Sequence, residues 1–139
     1  MRLTVERYMA REPLPERRQV WRQKASIIDA SGRHTFYVDF GEYADGRLAE
    51  IFVTAHKFGT FTRGVMDSLA RSVSLALQSG TSPRDMARQL IGQDYPPNGV
   101  VEAAGSCVTK CTSIADYIGQ EIIACYGEDG KRMQSVNDN

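Results

Sequence analysis

Lys57-Phe58-Gly59-Thr60-Phe61-Thr62-Arg63-Gly64 opens a run of helical periodicity that continues to Gln78. Strand patterns precede it and helical ones follow, so this stretch divides the chain. Thr60 and Thr62 offer hydroxyls to cap the unpaired N–H groups of a first helical turn. Lys57 and Arg63 add positive charge at the positive end of the helix dipole, a combination suited to an anion. Gly59 and Gly64 leave room for a ligand or a neighbouring backbone. Apolar residues recur at Phe61, Val65, Leu69, Val73, Ala76 and Leu77, the stripe expected to face a core, and Gly80 ends the helix.

Upstream, His34-Thr35-Phe36-Tyr37-Val38-Asp39-Phe40 alternates, with Phe36, Val38 and Phe40 on one face. A strand over residues 19–28 precedes it through the turn Ala30-Ser31-Gly32-Arg33. Asp45-Gly46 turns the chain into a third strand over residues 48–54, with Ala49, Ile51 and Val53 on one side and Leu48, Glu50 and Phe52 on the other. The second sheet face, half apolar through Tyr37, Leu48 and Phe52, is expected to meet a partner or a second copy. Downstream, Ser82-Pro83 starts a second helix ending near Leu90. Asp94-Tyr95-Pro96-Pro97-Asn98-Gly99 forbids helix, and Val100-Val101 leads into a small-residue loop. A last helix carries Ile114, Tyr117, Ile118, Ile122 and Cys125, capped by Thr112 or Ser113.

The expected fold is α+β: an antiparallel meander of three to four strands followed by three helices packed on one face. Residues 1–16, broken by Pro13 and Pro15, read as an extended arm with a short strand at residues 3–5. Residues 17–126 form the domain, and residues 127–139 read as a frayed, flexible polar tail.

The 139 residues suffice for one core. Seventeen basic residues against seventeen acidic ones leave no overall field, which argues against nucleic acid as a partner. Basic residues nonetheless crowd the start, at Arg2, Arg7, Arg11, Arg17, Arg18, Arg22 and Lys24. They read as a solvated arm and strand edge, the alternative being a phosphate-binding patch. No apolar run is long enough to span a membrane, the first residues lack a signal-peptide core, and three cysteines cannot all pair internally. The expectation is a cytoplasmic protein with no membrane partner and no cofactor.

Four blocks carry a family resemblance: Glu50-Ile51-Phe52-Val53, Met66-Asp67-Ser68-Leu69-Ala70, Val73-Ser74-Leu75-Ala76-Leu77-Gln78 and Ser113-Ile114-Ala115-Asp116-Tyr117-Ile118. Over residues 14–122 the chain resembles the TSCPD domain at the C-terminus of adenosylcobalamin-dependent ribonucleotide reductases. The resemblance implies the fold. The family's Thr-Ser-Cys-Pro-Asp signature is reduced here to Gly105-Ser106-Cys107-Val108-Thr109, and residues 127–139 contain no cysteine pair. Neither the radical reaction nor a thiol shuttle is therefore implied, and the expectation is a stand-alone copy of the domain.

Gly105-Ser106-Cys107-Val108-Thr109-Lys110-Cys111-Thr112-Ser113 forms a second hydroxyl-rich start with one lysine. Two such starts lead to the expectation of a shared pocket holding a nucleotide-like small molecule. Its ligand-binding residues would be Lys57, Gly59, Thr60, Thr62, Arg63, Ser106, Lys110, Thr112 and Ser113. The plainer alternative is two capped helices with solvated cations.

Other residues weigh less. Cys107 and Cys111 with His34 or His56 could hold zinc, but the spacing is not that of a zinc knuckle and buried or free thiols are the alternative. Asp29, Asp39, Glu42 and Asp45 fall at turns and strand edges, and His34 and His56 at strand ends, where solvent or structural roles suffice. Trp21, Tyr37 and Tyr95 suit base stacking or core packing. No catalytic set stands out, so a nucleotide-cleaving enzyme ranks last. The leading expectation is a non-catalytic, homo-oligomeric protein that holds or sequesters a nucleotide-derived ligand, a role suited to mobile or viral genomes. The alternative is an accessory subunit of a separately encoded ribonucleotide reductase catalytic chain.

Overall fold

A computed structural model describes residues 10–55 and 57–133; the strand expected at residues 3–5 and His56 lie outside them. Strands β1 (Val20–Asp29) and β2 (Gly32–Glu42) pair antiparallel along their whole length, from Val20 opposite Gly41 to Asp29 opposite Gly32. Gly32 makes the turn with φ of 126°, a conformation that side chains disfavour. Strand β3 (Leu48–Thr54) lies on the far side of β2.

After helices α1 (Thr60–Gln78) and α2 (Pro83–Leu90), two short strands extend the sheet beyond β1. These are β4 (Gly99–Glu102), with Val101 opposite Ile27, and β5 (Lys110–Cys111). Helix α3 (Ile114–Cys125) follows. The sheet is five-stranded and antiparallel, in the order β3-β2-β1-β4-β5, rather than the three- to four-stranded meander expected. The added strands have four and two residues, too few to reveal a period of two.

One face of the sheet is covered by helices, as the α+β reading requires. Phe36, Val38, Phe40, Ile27 and Ile51 meet Met66, Ala70 and Val73 of α1 and Tyr117, Ile118 and Ile122 of α3 in one core. Trp21 stacks on Phe40 at 4.3 Å between ring centroids, and Phe36 meets Tyr117 edge-on at 5.5 Å. Each such side chain contributes about 1.5–3 kcal/mol by leaving water. The opposite face stays open, carrying exposed Arg22, Lys24, Phe52 and Val100.

Two sequence-based face assignments need correcting. In α1 the buried residues are Met66, Ala70, Val73, Leu77 and Gln78, whereas Phe61 is 84% and Val65 44% exposed. A strict four-residue recurrence drifts about 40° per step around a helix of 3.6 residues per turn. Its first members therefore rotate away from the core that its last members enter. In β3, Gly41 faces Glu50 but Glu42 faces Leu48, so a bulge adds one residue and turns Leu48 into the core beside Ile51.

The open edge of β3 is closed by side chains of α1. The Ser74 hydroxyl accepts from the Ile51 N–H at 3.0 Å and donates to the Ile51 carbonyl at 3.2 Å, while the Gln78 amide donates to the Ala49 carbonyl. Unpaired edge groups that would template another strand are thereby used. The arm is tied down beside them: the Glu12 N–H donates to the Gln78 carbonyl, and Glu12 accepts both guanidinium bonds of Arg47 at 3.0 and 2.7 Å.

The described part of the expected tail is not frayed. Residues 127–133 fold back, with the Leu48 N–H donating to the Gly130 carbonyl, Arg132 N–H to Gly46, and Met133 N–H to Cys125. Backbone partners near the β2–β3 turn, invisible to local sequence, hold this segment. No helix among the described residues is long and apolar enough to cross a membrane.

Candidate functional site

The start of α1 differs from its reading in sequence. Gly59, in extended conformation, is the N-cap, and no side chain caps this helix. Thr60 and Thr62 fall inside the first turn, one and three residues past the capping position from which a side-chain oxygen reaches the free N–H groups. Helices α2 and α3 are capped normally: the Ser82 hydroxyl accepts from Asp85 N–H at 3.1 Å, and Ser113 from Asp116 N–H at 2.9 Å.

This uncapped start opens onto a cavity of about 330 Å³. Lys57, Phe58, Gly59 and Thr62 line one side; Asp29, Ser31 and His34 of the β1–β2 hairpin and Pro96 and Pro97 line the rest. Phe58 stands edge-on to His34 at 6.1 Å between centroids. Arg63 and Thr60 are exposed on the same first turn but do not line the cavity.

The hairpin groups are mutually bonded. Asp29 Oδ1 accepts from the Ser31 hydroxyl at 2.6 Å and from the Ser31 N–H at 2.9 Å, and lies 3.0 Å from His34 Nε2. These bonds, led by the Ser31 hydroxyl and aided by His34, hold the Asp29 carboxyl down at about 2. His34 Nε2 also meets Ser31 Oγ at 2.8 Å. A nucleophile–base relay needs hydroxyl and carboxylate on opposite ring nitrogens. Here one nitrogen faces both, so the group braces the turn and presents a carboxylate, without the geometry of a triad.

The second start does not join this cavity. None of Ser106, Lys110, Thr112 and Ser113 lines it, and the three hydroxyls are used within the fold. Ser106 donates to Glu121 at 2.6 Å and accepts from Val108 N–H; Thr112 donates to the Gln93 carbonyl at 2.8 Å; Ser113 is fully buried as a cap. Lys110 is exposed on β5, its carbonyl accepting from Gln120. The residues that sequence reading passed over are Asp29, read as solvated, together with Ser31 and the two prolines, read only as turn and loop. Their one signal was that turns supply cavity walls, which local patterns cannot assign to a partner.

Two buried carboxyl groups are bonded to tyrosines. Tyr117 donates to the buried Glu121 at 2.6 Å, and Tyr126 donates to the buried Glu42 at 2.5 Å while accepting from Trp21 Nε1 at 2.9 Å. Burial, then the adjoining carboxylate, pushes both phenols upward. Burial also raises the thiols, Cys111 to about 11 with help from Asp116 and Cys125 to about 12 with help from Glu121; Cys107 is exposed. Among the described residues no three His, Cys, Asp or Glu side chains are grouped to hold a metal ion.

The model of the TSCPD domain matches residues 6–125. The chain belongs to the TSCPD domain family. Vitamin B12-dependent ribonucleotide reductases of Agrobacterium fabrum and Bradyrhizobium diazoefficiens are 36% and 37% identical to it over 116 residues, 84% of this chain and 9% of each relative. That of Streptomyces coelicolor is 27% identical over 118 residues, 85% of this chain and 12% of the relative. This TSCPD chain thus spans about a tenth of the length of the curated relatives it matches. No solved structure matches it significantly.

Proposed function

We propose that this TSCPD chain is a binding module that holds a nucleotide-derived ligand, without catalysis, in the cavity at the start of α1. The observation that carries the reading is the uncapped helix N-terminus opening onto a lined cavity. Free first-turn N–H groups and the Lys57 ammonium suit a phosphate. Phe58, Pro96 and Pro97 offer apolar walls to a ring, and the ionised Asp29 offers an acceptor for ribose hydroxyls or base amino groups. About 330 Å³ is at the small end of ligand cavities and fits a mononucleotide unit. Sequestration of such a ligand would need only affinity, which agrees with the absence of relay geometry at His34.

The experiment is calorimetry of the purified protein against nucleoside phosphates and cyclic nucleotides, with mass spectrometry of small molecules released on heat denaturation. Saturable binding of one of them is expected; no binding and no released nucleotide would overturn the reading. The names of the relatives favour a second reading, an accessory module that docks on the catalytic chain of a ribonucleotide reductase. Failure to co-purify with such a chain would count against it.

A further inference from the structure

Helix α1 carries an unusual outward face. Opposite the buried line of Met66, Ala70, Val73 and Leu77 run Phe61, Gly64, Val65, Ser68, Ser72 and Leu75, all exposed. A helix packed on one side normally sets charged residues on the other. Here Phe61 is 84%, Val65 44% and Leu75 49% exposed, and Arg71 is the charged residue flanking them. Gly64 has no atom of the described residues within 4 Å of where a Cβ would stand, so none of their contacts requires glycine there, although glycine weakens a helix interior. A second backbone approaching at Gly64 and Ser68 would account for it.

The spacing is symmetric about Ser68. Phe61 and Leu75 lie seven residues to either side, and Gly64 and Ser72 four residues to either side. Turned end for end about Ser68, the face sets Phe61 over Leu75, Gly64 over Ser72 and Val65 over the methylene stem of Arg71. Beside Leu75 a groove of about 440 Å³ opens between α1, the β3 edge and the arm, with Leu14, Phe52 and Ala70 as apolar lining. Asp67 and Arg71, paired at 3.0 Å within one helix, flank one side of this face, and an antiparallel copy would set its own Arg71 two residues along from the point opposite Asp67, within reach of the long arginine side chain.

We infer that α1 is the interface of a homodimer, two copies packing antiparallel about a two-fold axis at Ser68. Phe61 of each copy packs on Leu75 of the other, at the rim of the α1–β3 groove. The contact is isologous and closes at two, so it forms a dimer and no fibre. It leaves the open sheet face and the α1 cavity unused.

Analytical ultracentrifugation over a wide concentration range tests this. The wild-type protein should sediment at twice the 15.5 kDa of the chain. Phe61→Glu and Ser68→Arg should each halve the mass with unchanged circular dichroism, since neither side chain packs within its own fold. Ser68→Cys in a Cys107→Ser background should give a covalent dimer with a short bismaleimide, while Gln89→Cys, on α2, should not. A wild-type monomer throughout, a Phe61→Glu dimer, or no cross-link at Ser68 would overturn the inference. These readouts do not depend on whether a nucleotide binds.

Discussion

Phe58 stands edge-on to His34 at 6.1 Å, joining the start of α1 to the β1–β2 hairpin. The contact brings together residues 24 positions apart, and with them an unused helix N-terminus and a braced carboxylate.

At the turn, the Asp29 carboxyl is held at about 2, below its ordinary value of 3.8. A carboxyl lowered on folding contributes stability that is present above the unfolded value and lost as pH falls toward the folded one. Stability should therefore decline between about pH 4 and pH 2, and Asp29→Asn should flatten that decline. Carbon-13 titration of the Asp29 carboxyl should show a midpoint near 2 that rises in Ser31→Ala.

Deeper in, the Tyr126 hydroxyl satisfies both Glu42 and Trp21. Tyr126→Phe removes little volume but leaves a buried carboxylate and an indole N–H without this partner. The expected loss is about 2–3 kcal/mol in urea unfolding, against about 1 kcal/mol for an ordinary hydrogen bond. A change below about 0.5 kcal/mol would show that water reaches Glu42.

The β1–β4 junction depends on Gly99. A Cβ there would stand 2.0 Å from the Ile28 carbonyl oxygen, a backbone atom that cannot step aside alone. Gly99→Ala should cost about 1–3 kcal/mol through displacement of the strands, despite favouring a less flexible unfolded chain. Denaturant unfolding checks it.

Thiol reactivity should divide the three cysteines. Cys111 and Cys125 are raised to about 11 and about 12 by burial, and Cys107 is exposed. At pH 8 a disulfide reagent should titrate one thiol quickly and the other two only on unfolding, since the thiolate is the reactive form. Cys107→Ser should abolish the fast phase.

Much of the fold was legible because its signals are local. The alternation at Phe36, Val38 and Phe40, the turn at Asp45-Gly46, the Ser82-Pro83 start and the Gly80 stop each specify their element within a few residues. What escaped reading was set by distant partners. The bulge that turns Leu48 inward depends on pairing with Glu42, and β4 exists because β1 offers it an edge. The anchoring of residues 127–133 depends on the Gly46 carbonyl, which accepts from Arg132, and on the Leu48 N–H, which donates to Gly130. For the candidate site, Lys57, Gly59 and Thr62 were legible as a charged helix start. Asp29, Ser31, Pro96 and Pro97 were not, because only the tertiary fold brings a hairpin turn and a proline loop to it. Ser106, Thr112 and Ser113 carried the same composition as a site, yet their hydroxyls serve neighbouring carboxylates and backbone.

One pair of variants tests ligand binding in the α1 cavity most directly. Lys57 lines the cavity; Lys110, on β5, does not. Calorimetry with the nucleotide bound by the wild type should show Lys57→Ala weakened about tenfold or more, near 1.4 kcal/mol, with Lys110→Ala unchanged and both variants folded. Equal affinity in wild type and Lys57→Ala, or loss confined to Lys110→Ala, would contradict the account.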